Sequence, residues 1–531
     1  RVTLFNCFVM GQMQDKLQSI FDALREGAVT MQEGGGVGYD FSTLRPRGSV
    51  AHATGRTASG PVSFMHIWDT TCGAILSTGA RRGAMMATLR CDHPDILGFI
   101  DAKRDSHALR RFNLSVQVTD SFMRAVEEDA LWPLVFPAHA LGEEPVEEGE
   151  TVMRAWPGEP GEVACRVLQR VPARELWARI MRSNYDFAEP GVLFIDRVNQ
   201  LNNLWYREHI SAANPCGEIP LPPYGACDLG SINLPRFVRE PFSGSAQLDL
   251  DAIGHTVRVA VRMLDNVIDV SHFPVAGQAE AARGARRIGL GVTGLADALI
   301  MLGLGYAEER ARKLAASVMA HICHSAYRAS IGLAAEKGSF PFFEPELFLQ
   351  GPFVRSLPQD IRDGIARQGI RNSHLTAVAP CGTISLLAGN VSSGIEPVFD
   401  FRHTRRVLDA GGDYREFEVV DYAYARWQLE TRQANGPLPA SFVNALQLAP
   451  SDHLAMQAAL QPYVDSAISK TINVPSDYPF EQFEDLYRVA YRFGLKGCTT
   501  FRPNPVTGEV LTTQGPDADC SHCCGLEMVD D

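Results

Sequence analysis

The segment Asn214-Pro215-Cys216-Gly217-Glu218 places an amide, a thiol and a carboxyl group at alternate positions. In an extended strand, alternate side chains share one face, so Asn214, Cys216 and Glu218 would point to the same side. A carboxylate can take a hydroxyl proton, an amide can hydrogen-bond, and a thiol sulfur can abstract a hydrogen atom as a radical. The three groups could therefore act on a vicinal diol. A turn with a buried structural cysteine fits the same short pattern equally well.

The cysteine content indicates thiols that are kept reduced. The 531-residue chain contains 12 dispersed cysteines and is long enough to bury a large apolar core without disulfides. This usage is typical of a reducing, cytoplasmic setting in which some thiols are catalytic. One of them, Cys227, lies eleven positions after Cys216.

Charge and hydropathy argue against nucleic acid and a membrane as partners. The formal net charge is -13 at pH 7, whereas a protein that coats nucleic acid needs a basic surface. The longest apolar stretch, residues 288–305, is broken by Asp297 and by glycines, so it is a poor membrane span. We therefore expect a cytoplasmic protein that binds neither nucleic acid nor a membrane.

Two glycine-containing motifs could hold a phosphate group. Residues 380–385 (PCGTIS) precede an apolar run, and such a loop at a helix start offers free backbone N–H groups, although a simple helix cap has the same composition. Residues 289–294 (GLGVTG) fit a dinucleotide-binding pattern. Because the preceding strand-like run is short and basic, we reject a dinucleotide site at the second motif.

Alternating strand-like and helix-like segments predict an α/β fold with parallel strands. Strands are expected within residues 1–10, 62–75 and 191–235, and a surface insertion at the polar residues 141–162. Helical apolar spacing marks residues 15–28, 174–184, 251–270, 294–303, 308–337 and 454–470.

Longer segments resemble the catalytic chains of ribonucleotide reductases. They are residues 189–234, which contain NPCGEIPLPPYGACDLGSINL, then RRIGLG at 286–291, APCGTISLLAGNVSSGIEPVF at 379–399 and KGCTTFRPN at 496–504. The segments follow in order along almost the whole chain, and they look most like the adenosylcobalamin-dependent class. This resemblance implies a ten-stranded α/β barrel of the thiyl-radical type with a central finger loop. The barrel would occupy residues 1–505, with a helical region missing before Arg1, and residues 506–531 would form a flexible redox tail.

The resemblance also implies roles for the thiol segment. Cys216 matches the cysteine whose thiyl radical takes the 3′ hydrogen of the ribose, Glu218 the base for the 3′ hydroxyl, and Asn214 the amide that orients the hydroxyls. Cys7 and Cys227 match the pair that protonates the departing 2′ hydroxyl and supplies two electrons as a disulfide forms. Without the family, Cys7 would be interpreted as a buried strand cysteine.

Further ligand sites follow from the same resemblance. The substrate would contact Asn6, Gly36, Pro380, Cys381, Gly382, Thr383, Ile384 and Ser385. The family usually has threonine where Cys381 stands, so one hydroxyl contact is lost and one thiol is gained. A deoxynucleoside triphosphate effector would contact Asp15 and Lys16 at a dimer interface, and a specificity loop with Gly79, Arg81, Arg82 and Gly83 would relay its identity. Ordinary helix-start charge and a solvated basic loop are the alternatives.

The C-terminal segment carries three further thiols, Cys520, Cys523 and Cys524. Zinc binding would need four ligands, and a second ligand pair is not evident. A mobile dithiol that reduces the Cys7–Cys227 disulfide, and is itself served by a thioredoxin- or glutaredoxin-like reductant, is the alternative that we favour.

Motifs of the other radical classes are absent from the sequence. Residues 499–501 read TTF where the class with a separate radical-generating subunit has a tyrosine dyad, and the glycyl-radical class needs a C-terminal glycine motif. We therefore expect an adenosylcobalamin-dependent homodimer that reduces ribonucleotides; resemblance to the larger dimeric forms favours diphosphates. The alternatives are a catalytically incompetent nucleotide-binding fragment and a chain that uses a separate radical-generating subunit.

Overall fold

The computed structural model describes residues 3–51, 56–75, 84–104, 108–141, 150–408, 414–432, 437–503 and 511–513. The chain divides into two compact units. The first comprises Arg1–Gln200, Arg207–Cys227 and Ser271–Ala282, and the second comprises Leu201–Tyr206, Asp228–Val270 and Arg283–Asp531.

The first unit is built on a mixed sheet. Up to the start of β13, its elements are β1 (Cys7–Val9), α1 (Leu17–Gln32), β2 (Gly36–Asp40), β3 (Val50–Ala51), β4 (Arg56–Thr57), α2 (Pro61–Ala74), β5 (Met85–Arg90), α3 (Ile96–Ile100), β6 (Phe112–Val118), α4 (Asp120–Glu127), β7 (Leu131–Pro137), a 3-10 helix (Ala138–Leu141), β8 (Thr151–Ala155), β9 (Glu162–Pro172), α5 (Ala173–Phe187), β10 (Gly191–Phe194), α6 (Ile195–Gln200), β11 (Ala212–Ala213), β12 (Pro220–Leu221) and β13 (Ala226–Asn233). The sheet order is β13-β1-β2-β5-β6-β10, antiparallel between β13 and β1 and parallel elsewhere.

The parallel strands of this sheet are buried because helices and loops pack on them. All six residues of β5 are buried, and in β6 only Asn113 is partly exposed. Such continuous burial is typical of parallel strands in α/β proteins. The predicted α/β fold with parallel strands is thus confirmed. The ten-strand count and the finger loop stay predictions.

The strand predicted at residues 62–75 is wrong, because helix α2 covers Pro61–Ala74. Pro61 stands in the first turn of the helix, where a missing N–H is harmless. The buried side chains Met65, Trp68 and Cys72 recur every three or four residues, which is the helical period. Apolar, β-prone composition had hidden this period.

The segment predicted as a surface insertion, residues 141–162, is described in part. Residues 142–149 lie outside the described residues. Strand β8 follows them, with exposed residues at alternate positions, and pairs with β9 in the three-stranded antiparallel sheet β7-β9-β8.

The second unit combines parallel strands with the longest helices. Its elements after β13 are a 3-10 helix (Leu234–Phe237), β14 (Val238–Arg239), β15 (Gln247–Leu248), α7 (Leu250–Val270), α8 (Ala276–Ala285, which begins in the first unit), β16 (Ile288–Thr293), α9 (Leu295–Met301), α10 (Glu309–Lys337), α11 (Pro345–Gln350), α12 (Pro352–Ser356), α13 (Gln359–Gln368), α14 (Gly382–Leu387), β17 (Arg402–Leu408), β18 (Tyr414–Val420), α15 (Tyr422–Thr431), 3-10 helices (Ala445–Gln447 and Gln461–Tyr463), α16 (Pro450–Leu460), β19 (Thr471–Asn473), α17 (Phe480–Arg492), β20 (Gly497–Phe501) and β21 (Leu511–Thr513). β13 runs parallel to β16, β19 to β20, and β17 pairs antiparallel with β18 and β21.

Residues 289–293 of the glycine motif lie in strand β16 and Gly294 directly precedes helix α9, which agrees with the rejection of a dinucleotide site there. A parallel bridge joins Leu290 to Thr376, and a Cβ atom on Gly291 would lie 2.2 Å from the carbonyl oxygen of Ala377. The glycine is therefore needed for close approach of two chain segments and not for a phosphate.

Most predicted helices are confirmed, but the one at residues 454–470 ends early. Helix α16 starts at Pro450 and stops at Leu460, and a 3-10 turn with Pro462 follows. Proline has no N–H to donate and clashes with the preceding turn, so it cannot continue an α-helix. None of the helices in the described residues combines the length and the apolar character needed to cross a membrane.

Candidate active site

Asn214 to Glu218 form the loop of a β-hairpin, not the extended strand that their spacing suggested. Strands β11 and β12 pair antiparallel, with Ala213 opposite Pro220. The N–H of Gly217 donates to the Asn214 carbonyl at 3.0 Å, and Gly217 has a φ of +79°, which favours glycine. The turn was therefore the correct interpretation of the backbone.

This hairpin loop still brings two of the expected side chains together at Cys7. Asn214 Nδ2 donates to Cys7 Sγ at 3.3 Å, and Cys7 Sγ lies 4.0 Å from Glu218 Oε1. The Ile219 N–H donates to Asn214 Oδ1 at 3.0 Å, so the amide is held with its NH₂ group toward the thiol. The loop thus places an amide and a carboxyl group next to one sulfur atom, that of Cys7.

Cys7 and Cys227 are direct partners across the antiparallel pair β1–β13. Opposed residues of such a pair have Cβ atoms about 5 Å apart, close enough for two thiols to react with each other. Both side chains are buried, and neither forms a disulfide. The structure therefore brings together the pair that the resemblance implies, but it does not support the disulfide between them.

The surroundings of Cys7 keep its thiol protonated. Burial raises the pKa of Cys7 well above the ordinary value, and the nearby Glu218, Cys216 and Cys227 raise it further, while the hydrogen bond from Asn214 acts in the opposite direction. A buried thiol beside an acid is a proton carrier, not a thiolate nucleophile.

Glu218 is a carboxyl group that titrates near neutrality. Its exposed fraction is 2%, and burial raises its pKa from 4.5 to about 7 against the opposing effect of the Asn214 hydrogen bond. Its Oε2 atom is buried and has no hydrogen-bond partner among the described residues. A buried oxygen of this kind needs a donor, and a ligand hydroxyl would supply one.

Cys216 differs from the other cysteines in its exposure. Of the nine cysteines that the structure describes, eight are buried and Cys216 is half-buried. It contributes to the raised pKa of Cys7, so the two thiols are near each other. Cys216 is therefore the described thiol that a reactant from outside could reach most easily.

The two further substrate residues predicted in this unit lie beside the same loop. Gly36 pairs with Cys7 in the parallel ladder β1–β2, and its N–H donates to the carbonyl of the exposed Asn6 at 2.9 Å. A Cβ atom on Gly36 would lie 3.2 Å from Pro215 Cγ. A side chain at Gly36 would therefore press on the Cys216 loop.

The predicted phosphate loop, residues 380–385, lies in the second unit and opens the short helix α14. The backbone of Cys381 is left-handed, with φ of +52°, and Ser385 Oγ donates to the Gly382 carbonyl at 2.8 Å. Pro380 is half-buried, whereas Gly382, Thr383 and Ile384 are exposed. Cys381 Sγ lies 2.9 Å from Ser231 Oγ, a contact that the sequence did not indicate.

The two predicted effector residues precede helix α1. Asp15 forms an ion pair with Arg45, a partner that the sequence did not reveal, and Lys16 is exposed. The specificity-loop residues Gly79, Arg81, Arg82 and Gly83 and the tail cysteines Cys520, Cys523 and Cys524 lie outside the described residues.

Sequence analysis missed Gly38, which supports the hairpin. A Cβ atom on Gly38 would lie 1.9 Å from the Ala213 carbonyl oxygen, so strand β11 lies directly on the backbone of β2. The closely spaced glycines in GGGVGYD are a sequence signal that could have indicated this close approach. No group of His, Cys, Asp and Glu suited to a metal ion occurs within the part of the chain that is described.

Comparison with known proteins agrees with this geometry. A family profile described as "Ribonucleotide reductase, barrel domain" matches residues 5–501. The "Vitamin B12-dependent ribonucleoside-diphosphate reductase" of Mycobacterium tuberculosis is 39% identical over 97% of this chain and 70% of its own length. The protein of that name from Thermoplasma acidophilum is 36% identical over 95% of this chain and 62% of its own length. The "Vitamin B12-dependent ribonucleotide reductase" of Streptomyces clavuligerus is 26% identical over 96% of this chain and 57% of its own length.

The profile covers nearly the whole chain, and the Mycobacterium tuberculosis relative is similar over more than two thirds of its length. This chain therefore belongs to the ribonucleotide reductase family.

Proposed function

We propose that this chain reduces ribonucleoside diphosphates to 2′-deoxyribonucleotides through a thiyl radical on Cys216. The observation that carries the proposal is the meeting of Asn214 and Glu218 at Cys7, directly opposite Cys227. The names of the relatives, which are B12-dependent diphosphate reductases, support the substrate class and the radical source.

The first steps use the loop residues. The Cys216 sulfur, as a radical, takes the 3′ hydrogen of the ribose. Glu218 accepts the 3′ hydroxyl proton through its unpartnered Oε2, and Asn214 helps to orient the hydroxyls. A base with a pKa of about 7 suits this task, since about half of it is charged at neutral pH and it is basic enough to take a proton.

The reduction is completed by the facing thiols. Cys7, whose raised pKa keeps it protonated, gives its proton to the departing 2′ hydroxyl, which leaves as water. Two thiols lose two electrons and two protons as Cys7 and Cys227 form a disulfide. C2′ gains the two electrons and one proton, and the other proton leaves in the water. The hydrogen atom returns from Cys216 to C3′, which regenerates the thiyl radical.

The partial exposure of the Cys216 thiol is compatible with adenosylcobalamin as the radical source. A radical source of that size must reach the sulfur atom from outside, and Cys216 is half-buried while Cys7 and Cys227 are buried. The chemistry that the cofactor supplies when bound is homolysis of its cobalt–carbon bond, which provides the acceptor for the hydrogen atom of the Cys216 thiol.

Four further assignments are parts of the proposal and rest on the resemblance. Residues 380–385 would hold the substrate phosphates, and the exposed Gly382, Thr383 and Ile384 are compatible with that role. Asp15 and Lys16 would contact a deoxynucleoside triphosphate effector in a homodimer. The specificity loop would relay the identity of that effector. The tail cysteines would pass electrons from a thioredoxin- or glutaredoxin-like reductant.

The decisive experiment measures deoxynucleotide formation from ribonucleoside diphosphates and triphosphates. Each is assayed with adenosylcobalamin, without it, and with an added iron or manganese radical-generating subunit. We expect product from diphosphates only when adenosylcobalamin is present, and none from Cys216→Ser. Turnover that depends on the added subunit would contradict the radical source. Effector binding with no turnover at all, or turnover unchanged by Cys216→Ser, would favour a catalytically incompetent nucleotide-binding fragment.

A further inference from the structure

Strand β6 carries two amide side chains on one face, and each contacts the backbone of the segment that leads to Cys216. Asn113 Nδ2 donates to the carbonyl oxygen of Pro215 at 2.8 Å. Gln117 Nε2 donates to the carbonyl oxygen of Ser211 at 2.6 Å. Asn113 and Gln117 are four residues apart in a strand, where side chains alternate, so both point to the same side of the sheet.

The spacing of the two donors matches that of the two acceptors. Ser211 and Pro215 are also four residues apart, and they meet β6 in reverse order, so residues 211–215 run antiparallel across its face. These two side-chain hydrogen bonds replace the backbone hydrogen bonds that join neighbouring strands, because the segment lies on the face of the sheet and not at its edge. Both ends of the segment are therefore fixed to one strand.

Neighbouring strands limit the remaining freedom of the segment. Thr88 Oγ1 on β5 donates to the same Ser211 carbonyl at 2.8 Å. Gln117 is 2% exposed and also lies 3.0 Å from Asp40 Oδ1, so its amide is itself held in place. In the middle of the segment, the Ala213 carbonyl lies against Gly38 with no room for a side chain.

The contact from Asn113 is the one closest to the chemistry. The Pro215 carbonyl and the Cys216 nitrogen belong to one planar peptide group, so a hydrogen bond to that oxygen restrains the backbone at Cys216. The loop beyond it closes through the Gly217–Asn214 turn and returns along β12. A shift at Pro215 would therefore move the Cys216 sulfur relative to Cys7.

We propose that Asn113 and Gln117 are positioning residues that set the location of the Cys216 sulfur. Neither is assigned a contact with substrate; they act through the backbone of residues 211–215. A misplacement of about 1 Å at a reacting atom costs roughly a hundredfold in rate, so loss of one anchor should lower turnover more than substrate affinity. The kinetic part of this proposal rests on the proposed function, whereas the geometric part does not.

The test compares Asn113→Asp, Asn113→Ala, Gln117→Leu and Ser115→Ala in the full chain. Asn113→Asp keeps the size of the side chain and removes its N–H donors. Ser115 lies between the two amides on the same face of β6, which makes Ser115→Ala the matched control for disturbance of the strand. For each variant, iodoacetamide alkylation of Cys216 is followed by mass spectrometry of its peptide, beside kcat, KM and the melting temperature.

We expect Asn113→Asp and Asn113→Ala to change the alkylation rate of Cys216 by about threefold to tenfold, the range that one hydrogen bond can support. We also expect kcat to fall by about tenfold or more with KM nearly unchanged. Gln117→Leu should act in the same direction, and Ser115→Ala should resemble the wild type. If Asn113→Ala fails to fold, the isosteric Asn113→Asp carries the comparison.

Two results would overturn the proposal. The first is that Asn113→Asp and Gln117→Leu have the same Cys216 alkylation rate and the same kcat as the control Ser115→Ala. The other is a loss of kcat that merely follows the melting temperature while the alkylation of Cys216 stays constant. A wild type that makes no deoxynucleotide, but whose Cys216 alkylation responds to Asn113→Asp, would remove the proposed function and leave the positioning role in place.

Discussion

At the residue scale, Glu218 sets the pH response that we expect of the site. Its pKa is raised by burial to about 7, and the proposed role requires the charged form. We predict that kcat/KM falls as the pH drops below about 7, which a pH–rate profile between pH 5.5 and 8.5 would reveal. Glu218→Asp should lower activity and move this acid limb. A flat profile across pH 6–8 would contradict the role of Glu218 as base.

The same carboxyl group should reduce the stability of the folded chain at high pH. The folded state binds the Glu218 proton more tightly than the unfolded chain, so stability is lost as the pH rises from about 4.5 to about 7. One pKa unit corresponds to about 1.4 kcal/mol, so the charged form costs on the order of 3 kcal/mol.

We therefore predict that Glu218→Gln raises the melting temperature at pH 8 by more than at pH 5. Thermal denaturation of both proteins at the two pH values checks this. Glu309→Gln is a suitable control, because Glu309 is an exposed carboxylate that pairs with Lys313 at the surface. An equal shift at both pH values for Glu218→Gln would show that the buried charge is not the cause.

Cys381 offers a matched pair of substitutions within the proposed phosphate loop. Threonine and valine have nearly the same shape, and both are β-branched at the left-handed backbone of residue 381. Threonine can keep the hydrogen bond with Ser231, and valine cannot. We predict that the KM of the nucleotide is about twofold to tenfold higher for Cys381→Val than for Cys381→Thr, with similar kcat. Equal KM values in steady-state assays would mean that the Ser231 contact does not shape the loop.

The sequence predicted the site residues unevenly. The spacing of Asn214 and Glu218 predicted that these side chains lie on one side of a strand, whereas they meet at Cys7 through a turn. Cys7 could be paired with Cys227 only through the family resemblance, because more than two hundred residues separate them and no local signal links them. The Asp15–Arg45 ion pair and the Ser231–Cys381 contact depend on tertiary structure in the same way.

At the scale of elements, the hairpin that carries Cys216 depends on Gly38. A methyl group at Gly38 would overlap the Ala213 carbonyl oxygen, and neither backbone segment can move freely. We predict that Gly38→Ala destabilises the chain by about 1–3 kcal/mol and lowers turnover. Urea denaturation and a turnover assay check this.

The control for Gly38 is Gly98, which lies in helix α3 with open space around its α-carbon. Gly98→Ala should be neutral or stabilising by up to about 1 kcal/mol, because alanine is the better helix former. A destabilisation of Gly98→Ala as large as that of Gly38→Ala would refute close backbone packing as the cause.

Helices were predictable where apolar residues recur at helical spacing in a sequence of ordinary composition. They were not predictable where many apolar, β-prone residues hide that spacing. Helix α5 shows five buried apolar residues at helical spacing and was predicted within a few residues. Helix α2 has the same spacing but a composition rich in apolar and β-prone side chains, which suggested a strand. Tertiary packing of Met65 and Trp68 decided the outcome, and sequence alone does not contain that packing.

At the scale of the whole molecule, the redox balance requires a route for electrons. Each turnover proposed here converts Cys7 and Cys227 to a disulfide, and both side chains are buried. A protein reductant cannot approach a buried disulfide directly, because thiol–disulfide exchange needs an in-line attack on sulfur. The three tail thiols, Cys520, Cys523 and Cys524, would solve this problem if they carry electrons between the surface and the pair.

We predict that the triple variant of these tail cysteines to serine loses multiple turnover with a thioredoxin-like reductant. It should keep its turnover with a small dithiol such as dithiothreitol, which can enter the site itself.

The three double variants, each of which leaves one cysteine, and the three single variants identify the two thiols that act. Cys165→Ala, a change at a buried cysteine of β9, is the control for general thiol loss. Full thioredoxin-dependent turnover by the triple variant would mean that the Cys7–Cys227 pair is reduced by another route. Equal loss of turnover with both reductants would mean that the tail is needed for more than electron transfer.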